Sequence, residues 1–209
     1  MSIMKRKNIH LILLIIVIAF FIWSFIKPAR YPIWIVEVGP SVIAILVVLY
    51  YYNKVRLTTL SYCIIALLTI LTFIGGHFTY NDVPLFDWIQ ETYDFKRNHY
   101  DRFGHFIKGL IVIVFREILI LKSALPIGKW VQFLAINMTL SLSAFYEIIE
   151  WIASIISKKK TKDFVGAQGD IWDAQWDMAL TLLGTIIALV LLTGLHNRYI
   201  KSLKVKDWS

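Results

Sequence analysis

Apolar runs near 8–26, 33–52, 57–79, 103–122, 130–156 and 175–195 alternate along the chain with short polar breaks. A bilayer core needs roughly 20 residues of helix, so each run is long enough to cross with its backbone bonds closed inside the segment. No strand pattern, internal repeat or low-complexity stretch competes with that reading. The expected fold is all-α, a polytopic transmembrane helical bundle of six spans. Short connections make successive helices antiparallel neighbours. Residues 80–102 stand apart, because Pro84, Leu85, Phe86, Trp88 and Ile89 are mixed there with Asp87 and Glu91. That mixture suits a short interfacial helix between spans three and four, a lid over the bundle, or else a solvated loop.

Composition sharpens the class. Of 209 residues, 58% are hydrophobic and 17% charged, too little charge to cover a soluble surface of this size. A single integral membrane domain over 1–209 is expected. The net charge of +8 comes largely from Lys and Arg flanking the apolar runs, the pattern of anchors for anionic headgroups. Membrane lipids are the expected partners and no nucleic acid is expected; oligomeric state is left open. Cys63 stands alone, which excludes an intrachain disulfide or a cysteine metal cluster. Lys5, Arg6 and Lys7 precede a full-length apolar run with no small-residue cleavage site after it, so an uncleaved signal-anchor helix is expected.

Orientation rests on the Lys/Arg bias. One side carries eleven: Lys5, Arg6, Lys7, Lys54, Arg56, Lys122, Lys129, Arg198, Lys201, Lys204 and Lys206. The other carries nine: Lys27, Arg30, Lys96, Arg97, Arg102, Lys158, Lys159, Lys160 and Lys162. This small majority places both termini in the cytoplasm. Trp23, Trp34, Trp151, Trp172 and Trp176 mark the opposite boundary, with Trp88 in its loop, while Trp130 and Trp208 lie on the first side. Lys158 to Lys160 are expected to touch headgroups.

The acids and histidines collect on that opposite side. His77 closes the third run, Asp101 and His105 open the fourth, Glu147 and Glu150 close the fifth, and Asp170, Asp173 and Asp177 open the sixth. Helical spacing puts Asp101, His105 and Lys108 on one stripe and Ser143, Glu147 and Glu150 on another. Asp170, Asp173, Asp177, Thr181, Gly184 and Ala188 share a face that is acidic at its end and small toward the middle, as suits close helix packing beside a cavity. Glu37 lies at the same depth. Converging carboxylates and imidazoles can hold a divalent cation, divide acid and base roles, or relay protons or ions. The candidate ligands are His77, Asp101, His105, Glu147, Asp173 and Asp177; the candidate catalytic groups are His105, Glu147, Glu150, Asp173 and Asp177. Asp101, Asp170 and Asp173 also suit helix N-termini, and His77 suits a helix-end hydrogen bond. Glu147, Glu150 and Asp177 are harder to explain so, since ionisable groups near hydrocarbon usually persist for a function or an ion pair. Arg116 and Glu117, toward the cytoplasmic end of the fourth run, read as anchoring or as a local pair.

No G-x-S-x-G elbow, phosphate-binding P-loop or H-E-x-x-H is present. The strings Gly75-Gly76-His77-Phe78-Thr79-Tyr80, Tyr100 to Phe106, Phe145 to Trp151 and Gly169 to Met178 resemble the YjdF-type bacterial inner-membrane proteins, an uncharacterised family. That resemblance runs the length of the chain and implies a multi-pass cytoplasmic-membrane protein, with no activity attached. A looser similarity links the last four runs to the VanZ-like membrane proteins, associated with low-level glycopeptide resistance. Asp101, His105 and Phe106 fit their first motif, Glu147 the second, and Asp173, Asp177 and Gly184 the third; Arg102, Glu150 and Thr181 depart from it.

Three functions remain in view. The leading expectation is an acid/His site at the extracytoplasmic ends of helices three to six that binds or processes an envelope lipid or headgroup, its acids and His105 either holding a divalent cation or sharing protons. A small transporter or ion/proton pathway is the second, and a non-catalytic membrane partner the third.

Overall fold

A computed structural model describes residues 3–156 and 168–204, with side chains over 6–155 and 168–203. Among these residues the regular structure is all helical: α1 (Ile3–Phe25), α2 (Tyr31–Tyr51), α3 (Thr59–Phe78), α4 (Pro84–Tyr93), α5 (Tyr100–Lys108), α6 (Ile111–Lys122), α7 (Lys129–Ile156) and α8 (Asp173–Lys204). The readings made for Lys158 to Lys160, Lys162, Lys206 and Trp208 fall outside the described residues. Five helices, α1, α2, α3, α7 and α8, are long and apolar enough to cross a bilayer.

The fourth expected span is broken. α5 and α6 meet at Gly109–Leu110 through i+3 hydrogen bonds, from Gly109 N–H to the Phe106 carbonyl at 3.3 Å and from Leu110 N–H to Ile107 at 3.0 Å. Both residues keep right-handed helical dihedrals, so the path is a helix tightened by one turn rather than a loop. The cause is packing against α8. A Cβ on Gly109 would overlap the Gly184–Thr185 backbone, and one on Gly184 would overlap the Phe106 carbonyl. Two glycines thus bring the backbones into contact. The carbonyl of His105, freed by the tightened turn, accepts the Thr181 hydroxyl at 3.1 Å.

α1 and α2 pack on α3; α6, α7 and α8 pack on one another, and α5 lies along α8. The bundle is apolar outside and polar within. Val190 is 76% and Leu191 70% exposed, while His105, Asp177, Glu117 and His196 are fully covered. That inversion is the signature of a bilayer solvent. Between α3 and α5 a short helix does form: α4 opens on Pro84, closes on a left-handed Asp94, and buries none of its residues. Trp88 is exposed there, as are Trp151, Trp172 and Trp176, whereas Trp34 is covered by the bundle instead of joining that belt.

Candidate functional site

Four helices bring their acids together at one end of the bundle, called here the acid end. α5 is set by Asn98, which is fully buried. Its side chain accepts the Tyr100 N–H at 2.9 Å, donates to Asp87 of α4 at 2.7 Å, and its backbone pairs twice with the Gln168 amide. From that anchor the stripe Asp101, His105, Lys108 turns inward as the spacing predicts. Glycines make room around it: a Cβ at Gly75 would strike the Tyr80 ring and one at Gly76 would strike Val38. Burial pushes the Tyr80 phenol well above its ordinary range, so it stays protonated beneath the cluster.

His105 is the centre. Its Nε2 lies 2.8 Å from Lys108 Nζ, 3.4 Å from Glu147 Oε1 and 3.7 Å from Asp101 Oδ1. An ammonium can only donate, so Nε2 is the acceptor and the ring proton is assigned to Nδ1. Nδ1 faces the Thr181 and Ser143 hydroxyls at 3.3 and 3.4 Å. Thr181 spends its own proton on the His105 carbonyl, leaving its lone pairs free to accept. The imidazole is therefore oriented from behind by hydroxyls, and its Nε2 lone pair, which takes the Lys108 ammonium, points to the side where the acids lie; a metal-binding histidine is oriented from behind in the same way.

Two sets of donor atoms share this ring. One atom each from Asp101, His105 and Asp177 lie within 4.8 Å of one another, and so do atoms from His105, Glu147 and Glu150. Asp101 and Asp177 are covered, at 2% and 0% exposure. Among the described residues neither oxygen of Asp177 has a hydrogen-bond partner, nor does Oδ2 of Asp101 or Oε2 of Glu37. Glu37 comes in from α2, where its carbonyl accepts the Tyr146 hydroxyl at 2.8 Å. The Lys108 ammonium, 4.3 Å from the centre of the Tyr146 ring, is the cation of this cluster. One ammonium cannot balance Asp101, Glu147, Glu150 and Asp177 together.

The other predicted acids are already committed. Asp173 pairs with Arg97, and Asp170 with Arg102 at 2.5 Å. Asp170 also accepts the Trp172 N–H at 2.9 Å. That backbone bond, aided by the Arg102 guanidinium, holds its carboxyl below the usual range. These four residues clamp the 94–99 turn and the first turn of α5 to the segment that opens α8, at the mouth of the cluster. His77 turns the other way, with Nδ1 3.2 Å from the Ser24 carbonyl and its ring 4.3 Å from that of Trp23. It holds α3 to α1 and does not join the donor sets.

A second polar group sits toward the opposite, basic end. Glu117 accepts the Thr58 N–H and hydroxyl and the Ser61 hydroxyl, and lies 3.1 Å from His196 Nε2. Arg116 donates to His196 Nδ1 at 2.7 Å and to Asn197 at 2.8 Å. The sequence suggested anchoring or a local pair for Arg116 and Glu117 and did not reveal His196 between them. Its signal was helical phase, since His196 falls three turns beyond Thr185 on the polar face of α8.

Fold and site together define a polytopic helical membrane protein with a buried acid/histidine centre at one end of its bundle. Residues 9–198 match the family described as "Predicted membrane protein (DUF2238)", and the chain belongs to that family. It is 38% identical over 169 residues to "Inner membrane protein YjdF" of Escherichia coli (strain K12), covering 80% of this chain and 81% of that protein. No solved structure matches the chain. The likeness to the VanZ-like proteins rests on the short motifs alone.

Proposed function

We propose that this chain is an inner-membrane protein whose acid end holds a divalent cation and, with it, binds or processes the polar headgroup of an envelope lipid. The observation that carries the reading is Asp177, covered completely with both carboxylate oxygens unpartnered among the described residues. A buried carboxylate in that state is costly unless a cation, a proton or a ligand completes it. Asp101, His105 and Asp177 would hold the cation, and two carboxylates with one imidazole suit zinc or manganese. Such an ion supplies Lewis acidity at a phosphoryl or carbonyl oxygen. Glu147, whose Oε1 lies 3.4 Å from the same His105 nitrogen, and Glu150 beside it are placed to take or give a proton. Asp173 positions Arg97 at the mouth. An extracytoplasmic acid end, with both termini in the cytoplasm, follows the Lys/Arg bias and is part of the proposal.

An ion pathway has less support. It needs polar groups across the midplane, where Val112, Ile113, Ala135 and Ala188 are packed together and covered. The test is titration of chelator-treated, purified protein with zinc and with manganese. Near-stoichiometric uptake is expected in the wild type, weakened by about tenfold or more in Asp177→Asn, given what loss even of supporting groups costs. No uptake of either ion, with an unchanged lipid profile in an Asp177→Asn strain, would remove the proposal.

A further inference from the structure

α1 and α2 follow each other in the chain and both pack on α3, yet they scarcely touch one another. At the acid end Trp34 joins them, its ring beside Phe21 and Phe25 and its N–H donating to Ser24 at 3.3 Å. Near the basic end the Tyr52 hydroxyl lies 2.8 Å from His10 Nδ1, and Thr59 of α3 lies 3.1 Å from His10 Nε2. Pinned at both ends, the pair leaves a window between them.

The window is a cavity of about 430 Å³, within the span of small-molecule sites. Its shaft is lined by Leu14, Val17, Ile45, Val48 and Ile65, and its mouth by Lys7, Asn8 and Asn53. Val17, at the inner part of the shaft, packs with Trp34, Val38 and Phe73 in the cluster that runs on toward the acid end. The shaft has the chemistry of a hydrocarbon chain, and dispersion contacts along its wall are forfeited unless something apolar fills it.

Charge selects the headgroup. From Met1 to Asn81 the sequence has one acid, Glu37, and that residue lies at the acid end. Lys7 lines the mouth, and Arg6, Lys54 and Arg56 are close to lining residues in the chain; Glu117, the carboxylate packed on the start of α3 at this end, is already taken up by Thr58, Ser61 and His196. Lysine and arginine at a headgroup layer favour anionic lipid. We propose that this cavity holds one acyl chain of an anionic phospholipid from the leaflet at the basic end, with its phosphate facing Lys7. The site is separate from the acid cluster and stands or falls without it.

The experiment is native mass spectrometry of the whole protein released from micelles and offered dioleoyl phosphatidylglycerol or dioleoyl phosphatidylcholine in equal amounts. One retained phosphatidylglycerol is expected at about fivefold the level of phosphatidylcholine, the scale of one lysine contact. Leu14→Trp, which fills the shaft, should remove the retained lipid. Ile43→Trp, on the outer face of α2 where Ile43 is 64% exposed, should leave it. Lys7→Gln changes only the mouth and should bring the two lipids to parity, so the idea stays testable should Leu14→Trp fail to fold. Equal retention of both lipids by the wild type, or retention unaffected by Leu14→Trp in folded protein, would overturn it.

Discussion

The Glu117 network and the His105 cluster are built from similar parts and end in opposite states. In each, a cation on the α5–α6 helix donates to a buried histidine: Arg116 to His196 and Lys108 to His105. At Glu117 the far nitrogen of the ring faces a single carboxylate that also takes three donors from the start of α3. One arginine answers one glutamate through the ring, and the carboxylate's acceptors are filled, with Arg116 Nε the one atom of the network left without a partner among the described residues. At His105 the far nitrogen faces hydroxyls, while the acids crowd around the ammonium side. Asp101, Glu147, Glu150 and Asp177 share one lysine, and Asp177 has no donor among the described residues. A buried carboxylate whose acceptors are filled holds a fold together. Unsatisfied buried groups call for an explanation outside packing, and stability forgone at a site is the usual mark of function.

The largest effect that separates the two is Glu117→Gln. It leaves Arg116 without a countercharge and sets an amide NH2 against existing donors, so a loss of about 3–5 kcal/mol is expected, read from unfolding in mixed micelles. Asp177→Asn should do the reverse, leaving stability level or up to about 2 kcal/mol higher while cation uptake falls. Equal destabilisation by both variants would make the acid end interhelical glue, and the non-catalytic partner reading would take its place.

Much of this was legible in the sequence, because lipid imposes length. The apolar runs match α1, α2, α3 and α7 to within a few residues at most ends. α8 runs past its apolar run to Lys204, since His196 and Asn197 are bonded to Arg116 instead of being released to water. Helical spacing also placed Asp101, His105, Glu147 and Asp177 correctly on inward faces. It failed where a side chain's partner lies far along the chain. Asp173 and Asp177 are a turn apart and look equivalent, but the 94–99 turn delivers Arg97 to only one of them. His77 ends α3 at the right depth, yet its phase faces α1, while the neighbouring Gly76 faces Glu37. The break at Gly109 depends on Gly184, and nothing local to either glycine announces it.

That glycine contact tests whether the acid cluster depends on the same close packing as the core. Gly184→Ala would drive a methyl into the Phe106 carbonyl, and overpacking of this kind costs about 1–3 kcal/mol. The displaced α5 would also carry His105 away from Thr181, so cation uptake should fall with stability. Gly194→Ala on the same helix meets open space and should be neutral, or stabilising by up to about 1 kcal/mol through helix propensity.

The smallest expected effect concerns the clamp at the mouth, which borders the cluster and is already charge-balanced. Asp170 lies before the span of α8, and the Trp172 N–H with Arg102 holds its carboxyl below the usual range. A group whose folded pKa is depressed adds stability that is present above the ordinary carboxylate value, about 3.9, and is lost as pH falls through the lower folded value. The melting midpoint of the wild type should therefore drop slightly more than that of Asp170→Asn as pH is lowered from 6 through that range. Asp170→Asn should leave cation uptake at pH 7 unchanged, because Arg102 and not a bound ion answers its charge. Loss of uptake matching that of Asp177→Asn would move the clamp into the ligand set, and the boundary drawn between balanced and unbalanced acids would have to shift outward to include it.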